Sequence, residues 1–162
     1  MARTHERRTK WAWLVGTFFG AGLLKPGPGT YGSIAAVLLW WGAAHVWHAS
    51  GVALAAGTFL AAVLATLIGI PAATIVAREA GREDPGFVVI DEVAGQWIAL
   101  IPMQPDWKHA ALGLVLFRIF DIWKPWPVYR LEELPEGTGI MLDDVAAGVL
   151  ALTVGAVLSH WF

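Results

Sequence analysis

A chain of 162 residues and 17.5 kDa has room for one domain, because a second core calls for roughly another 100 residues. Hydrophobic residues make up 57% and charged ones 15%, against about 45–50% and about 25% in soluble domains, so the composition departs from that of an ordinary soluble protein. A formal net charge of −2 offers no polycation for nucleic acid, and the lack of cysteine removes disulfides, Cys-ligated zinc and every thiolate mechanism.

In chain order, Arg3, Arg7, Arg8 and Lys10 give residues 1–10 the character of a basic tail, with His5 among them. Trp11 to Leu24 is apolar but spans only about 14 residues, too short to cross a membrane at ~1.5 Å per residue. It is expected to lie in the interface or to re-enter. No convincing small-x-small cleavage site follows the apolar run before Lys25 and Pro26, which argues against a signal peptide. Gly16 and Gly20 stand at GxxxG spacing, a pattern that allows close helix approach.

From Pro26 to Ala77 there is no Asp, Glu, Lys or Arg, room enough for a helical hairpin of two crossings. Its first arm runs from Ser33 to Trp47, its turn is His48-Ala49-Ser50-Gly51, and its second arm runs from Val52 to Ala77 with Gly69 and Pro71 inside. Trp40, Trp41 and Trp47 are expected to anchor the first arm near an interface. A third apolar run, Phe87 to Met103, contains Asp91 and Glu92. A fourth, His109 to Trp123, contains Arg118 and Asp121, and a fifth, Val145 to Phe162, is uncharged. The fold class expected is all-α: a polytopic helical membrane protein, a compact bundle whose polar site lies at the cytoplasmic face.

That orientation comes from the basic residues. With the N-terminal tail inside and five crossings from Ser33 onward, Lys25, Arg78, Arg82, Lys124 and Arg130 fall on the cytoplasmic side and Lys108 outside. The same topology brings Asp91 and Glu92, Arg118 and Asp121, and Asp143 and Asp144 to one membrane face. His45, His48, His109 and His160 fall near the opposite one.

A charge near the centre of a membrane helix costs about 2.5–3.5 kcal/mol on insertion scales, so these groups should face one another or water. Arg118, Asp121 and Lys124, spaced by three, lie along one side of a helix, where two cations flank the carboxylate. A plain ion-pair ladder would have the same spacing. Five clustered carboxylates, Asp91, Glu92, Asp121, Asp143 and Asp144, repel one another unless a cation sits among them, and oxygen-only ligands favour Mg2+ over zinc. One of Asp143 and Asp144 is also placed to cap a helix starting at Val145. Lys25-Pro-Gly-Pro-Gly-Thr-Tyr-Gly-Ser33 delivers Thr30 and Ser33 to a helix start beside a lysine, an arrangement suited to phosphate. The alternative from another class is a proton- or cation-coupled transporter or channel using Asp91, Glu92 and Asp121, which would spread acids through the membrane depth rather than crowd them at one face.

Pro28-Gly29-Thr30-Tyr31-Gly32-Ser33, Ile90-Asp91-Glu92, Phe117-Arg118-Ile119-Phe120-Asp121-Ile122-Trp123-Lys124-Pro125-Trp126-Pro127 and Gly139-Ile140-Met141-Leu142-Asp143-Asp144 together resemble the phosphatidylglycerophosphatase A family, in order from about Gly16 to Gly148. Gly27, where alanine is common, and Val128, where isoleucine is common, depart from the pattern without touching a polar position. The resemblance implies a single domain over residues 1–162 and a Mg2+-dependent phosphatase of the bacterial cytoplasmic membrane. Its substrate would be phosphatidylglycerophosphate, embedded among membrane lipids, and its product phosphatidylglycerol. Combined with the residues, it implies Mg2+ held by some of Asp91, Glu92, Asp121, Asp143 and Asp144. Lys25, Arg118 and Lys124 would clamp phosphate oxygens with help from Thr30 and Ser33. Attack by an aspartate, for which Asp121 is the candidate, and attack by a water molecule both stay open.

Overall fold

The protein is described here from a computed structural model over residues 8–161; Arg3, His5 and Arg7 of the basic tail and Phe162 lie outside the described residues. All regular structure among the described residues is helical: α1 (Lys10–Gly16), α2 (Pro28–Val46), α3 (Gly51–Ala80), α4 (Ile90–Leu100), α5 (Trp107–Trp123), α6 (Val128–Glu132) and α7 (Glu136–Leu158), with short 3-10 turns at Ala21–Leu23 and Ser159–Trp161. The helix ends follow local chemistry. Pro28 opens α2, where a missing N–H costs nothing. Gly81, left-handed at φ 65°, closes α3. Asp106 caps α5 by accepting from the Lys108 and His109 amides at 2.9 and 3.1 Å. At its other end α5 stops because Lys124 precedes Pro125, which disfavours the helical conformation; Lys124 adopts φ 46°.

The short helix α4 is the centre of the bundle, buried through Ile90, Val93, Ala94, Gly95, Gln96, Ala99 and Leu100, with α3, α7, α5 and α2 around it. Its 11 residues reach only about 16 Å at 1.5 Å per residue, short of a hydrocarbon core of about 30 Å. The expected third span is therefore a helix enclosed by protein. Two helical stretches, Gly51–Ala80 and Glu136–Trp161, are long and apolar enough to cross a membrane. Outward faces of α2 and α3 present Leu38, Leu39, Phe59, Leu60 and Leu67 in the open, as befits contact with lipid.

Residues 11–24 fold back on themselves. The Thr9 amide donates to Glu79 near the end of α3 at 3.0 Å, α1 runs alongside α3, and Trp13 stacks on Phe87 with ring centroids 5.2 Å apart. The chain reverses at Phe18, Phe19 and Gly20, all with positive φ, and returns to Lys25. Backbone donors there are satisfied internally, for example Phe19 to Leu14 at 2.8 Å and Gly22 to Thr17 at 3.0 Å. Gly16 and Gly20 do not form a helix-packing pair: Gly16 accepts from the Val89 amide at 2.8 Å, whereas Gly20 is the turn, with φ 95°. Trp40 is not an interfacial anchor either. It is buried, and its indole donates to Thr58 on α3 at 2.9 Å.

Candidate active site

The polar residues converge at one end of the bundle. The end of α3, the starts of α4 and α7, the end of α5 and the α6 segment enclose a cavity of about 830 Å³ lined by Asp91, Glu92, Asp121, Lys124, Asp143 and Asp144. At its mouth Arg78 donates from Nε and Nη2 to Glu136 at 2.8 and 2.7 Å, tying the end of α3 to the start of α7.

Three of the five expected carboxylates form one cluster. Oxygens of Asp91, Glu92 and Asp144 lie within 4.8 Å of one another. The cause is the crossing of α4 and α7 at two glycines: a Cβ on Gly148 would run into the Gly95 carbonyl, and one on Gly95 into the Asp144 backbone and the Phe117 ring. Contact this close brings the first turn of α4 against the third turn of α7. Asp91 and Glu92 at a helix N-terminus are favoured by the helix dipole, but that leaves Asp91 Oδ1, Glu92 Oε2 and Asp144 Oδ2 buried without a hydrogen-bond donor. Orphaned acceptor oxygens at this spacing, with no thiolate or imidazole among them, fit a hard divalent cation such as Mg2+.

The other two carboxylates are paired with cations. Asp121 accepts from Arg118 Nη1 on the same face of α5. Asp143 accepts from Lys124 Nζ at 2.9 Å and from the Asp144 amide at 2.9 Å. Lys124 does not flank Asp121 as helical spacing from Arg118 predicts, since the helix has ended; its ammonium lies between Asp143 and Glu132, the latter at 2.8 Å. Burial alone would lower the Lys124 pKa, but the two ion pairs outweigh it and raise the pKa above its ordinary value. Nor do Asp143 and Asp144 cap a helix at Val145. Helix α7 begins at Glu136, and both lie well inside it.

The phosphate-binding set divides. Thr30 and Arg118 line a second, apolar groove beside the cavity, and Gly29 packs so tightly that a Cβ there would meet Glu92 Oε1 and come to 3.3 Å of Arg118 Nη1. Ser33 is fully buried and spends its hydroxyl on the Gly29 carbonyl at 3.0 Å, so it reaches neither space. Lys25 is exposed and lines neither.

Sequence reasoning missed Glu132, Glu136, Arg78 and Gln96. The first three belong to charged stretches at the ends of apolar runs, where charge density was the available signal. Gln96 lies one turn beyond Glu92, fully buried with neither amide atom partnered; an uncharged amide in an apolar run gives little warning. At the opposite end, His109 is buried, 2.6 Å from Asp106. Asp106 is drawn up by partial desolvation, but hydrogen bonds from His109 and Lys108 outweigh this and hold its carboxyl below the ordinary range.

The phosphatidylglycerophosphatase A family profile matches residues 14–159. The chain belongs to that family, a family of phosphoric monoester hydrolases. It is 35% identical over 150 residues to Phosphatidylglycerophosphatase A of Escherichia coli K12, covering 91% of this chain and 83% of the relative. Phosphatidylglycerophosphatase A of Haemophilus influenzae Rd is 34% identical, at 91% and 88% coverage. A Bacteroides thetaiotaomicron protein, 40% identical at 91% and 92% coverage, carries a name that assigns it provisionally as a phosphatidylinositol-3-phosphatase. No solved structure matches the chain significantly.

Proposed function

We propose that the protein removes the terminal phosphate from phosphatidylglycerophosphate in a Mg2+-dependent reaction and releases phosphatidylglycerol. The observation that carries this reading is the buried cluster of Asp91, Glu92 and Asp144, whose unpartnered oxygens line a cavity that also holds a lysine and an arginine-paired aspartate. Bound by those three residues, Mg2+ would supply neutralisation of charge on the phosphate oxygens. The surrounding residues position the substrate. Lys124 keeps its half-buried contact with Asp143 and exchanges the more exposed Glu132 for a phosphate oxygen. Arg118 fixes Asp121 at the cavity wall and presents its remaining donors beside Gly29 and Thr30. Asp121 is assigned to the reacting phosphate, and Asp143 to orienting Lys124. Ser33 and Lys25 are left out of the phosphate clamp.

The bundle is read as polytopic, a single domain in the bacterial cytoplasmic membrane with the cavity toward the cytoplasm. Support comes from basic residues: Arg8, Lys10, Lys25, Arg78, Arg82, Lys124 and Arg130 belong to segments at the cavity end and Lys108 to the far end. A transporter would need acids along the bundle. Among the described residues only Asp106 lies at the far end.

The experiment is a substrate comparison. Purified protein with Mg2+ should release phosphate from phosphatidylglycerophosphate at least about tenfold faster, by kcat/KM, than from phosphatidylinositol 3-phosphate, a difference of about 1.4 kcal/mol in transition-state binding. Preference for the inositol lipid would overturn the assignment of substrate, and hydrolysis of neither would overturn the phosphatase reading.

A further inference from the structure

The apolar groove beside the cavity has no part in the chemistry above. It measures about 630 Å³, lies between the first turn of α2 and the second half of α5, and is walled by Leu114, Val115, Ile119, Ile122 and Trp123. Its outer wall is open: Val115 is 54% exposed, and Ile122 and Trp123 are each 72% exposed. Along α5 from Leu114 to Trp123 the groove extends about 14 Å at 1.5 Å per residue, close to the 15 Å or so of hydrocarbon in one leaflet. Its single charged wall residue is Arg118, whose Nη1 bonds Asp121 on the cavity side. One arginine and its aspartate thus separate an apolar channel from the acid cavity.

We propose that this groove seats an acyl chain of the phospholipid substrate, so that the lipid enters sideways between α2 and α5 and its phosphates turn past Arg118 toward Asp91, Glu92 and Asp144. This rests on the phosphatase reading and adds the place where the lipid part of the substrate is recognised. Charge selects the occupant. A chain with a phosphate at its head matches an apolar trough with one guanidinium in its wall, whose single side-chain bond among the described residues, to Asp121, leaves further donors for an anion.

The test compares kcat/KM for dioleoyl phosphatidylglycerophosphate in micelles with kcat/KM for its deacylated, water-soluble headgroup. The wild type should favour the lipid at least about tenfold. Val115→Trp, which fills the groove, should lower that ratio about tenfold, the effect of losing two buried methylene contacts. Val157→Trp, on an exposed part of α7, should leave the ratio unchanged. If Val115→Trp does not fold, Ile119→Ala carries the test and should lower the ratio by roughly threefold to tenfold. A ratio unmoved in folded groove variants, or moved equally by Val157→Trp, would overturn the proposal. So would an equal fall on both substrates accompanied by loss of a dimer in light scattering, which would mark the groove as an interface between copies. A wild type that hydrolyses lipid and headgroup equally well would remove the groove and keep the phosphatase, whereas a wild type inactive on both would remove the phosphatase itself.

Discussion

Replacing Gly148 by alanine forces apart the two helices that bring the acid cluster together. A Cβ there would come to 3.0 Å of both the carbonyl carbon and the Cα of Gly95, and nearer still to the carbonyl oxygen. The atoms in its way belong to backbone, so no side chain can swing aside. Relief demands that α4 and α7 separate by roughly 0.5–1 Å, as much as or more than the ~0.5 Å within which a catalytic constellation has to be held. Overpacking of this kind costs about 1–3 kcal/mol of stability, and a displacement of about 1 Å at reacting groups lowers rate by about 10²-fold. Gly57→Ala is the matched control: nothing lies within 4 Å of a Cβ there, so it should gain about 0.5–1 kcal/mol from the better helix former and keep full activity. Phosphate release in micelles gives kcat, and thermal unfolding in the same detergent gives stability. A folded Gly148→Ala variant with wild-type kcat and an unchanged Mg2+ requirement would refute the claim that this crossing sets the site.

Four further outcomes are expected. Asp144→Asn should lower kcat by about two orders of magnitude or more and raise the Mg2+ concentration needed for half activity, checked by metal titration of the phosphatase rate. Asp121→Asn should lower kcat with little change in KM; a folded, inserted variant with near-normal kcat would leave Arg118 and Asp121 as a structural ion pair. Lys124→Met should cost roughly 1–3 kcal/mol by removing two charge-assisted hydrogen bonds. Because the folded-state pKa is raised above 10.5, that contribution is complete below 10.5 and is lost only as pH rises through the folded value, so the melting shift should be the same at about pH 6 and about pH 8. Reporters at Glu83 and at the C-terminus should read cytoplasmic and external respectively; the same side for both would undo the orientation.

Charge made the site legible. In so apolar a chain Asp91, Glu92, Arg118 and Asp121 stand out, and an even number of helical passes between them returns them to one end, where the structure gathers them. Helix ends were less legible, because hydropathy sees composition and not the neighbour. Val145 looks like the start of a helix because the acids stop there, yet α7 runs back to Glu136 since Asp143 and Asp144 face protein rather than lipid. Lys124 is a matter of backbone: spacing by three aligns it with Asp121 only while the helix lasts, and Pro125 ends it. Ser33 looked free for phosphate because its bond to the Gly29 carbonyl is a choice made within α2. The groove along α5 was invisible, since its residues read as any other membrane-facing stretch until Arg118 is seen to stand at the boundary with the cavity.

Phosphate release from phosphatidylglycerophosphate by the purified protein, first stripped with chelator and then titrated with Mg2+, tests the central claim most directly. Activity should vanish in excess chelator, return with Mg2+, and fail to return in Asp91→Asn or Asp144→Asn at the same Mg2+ concentration. Full activity in chelator, or wild-type recovery by both variants, would contradict a divalent cation held by Asp91, Glu92 and Asp144.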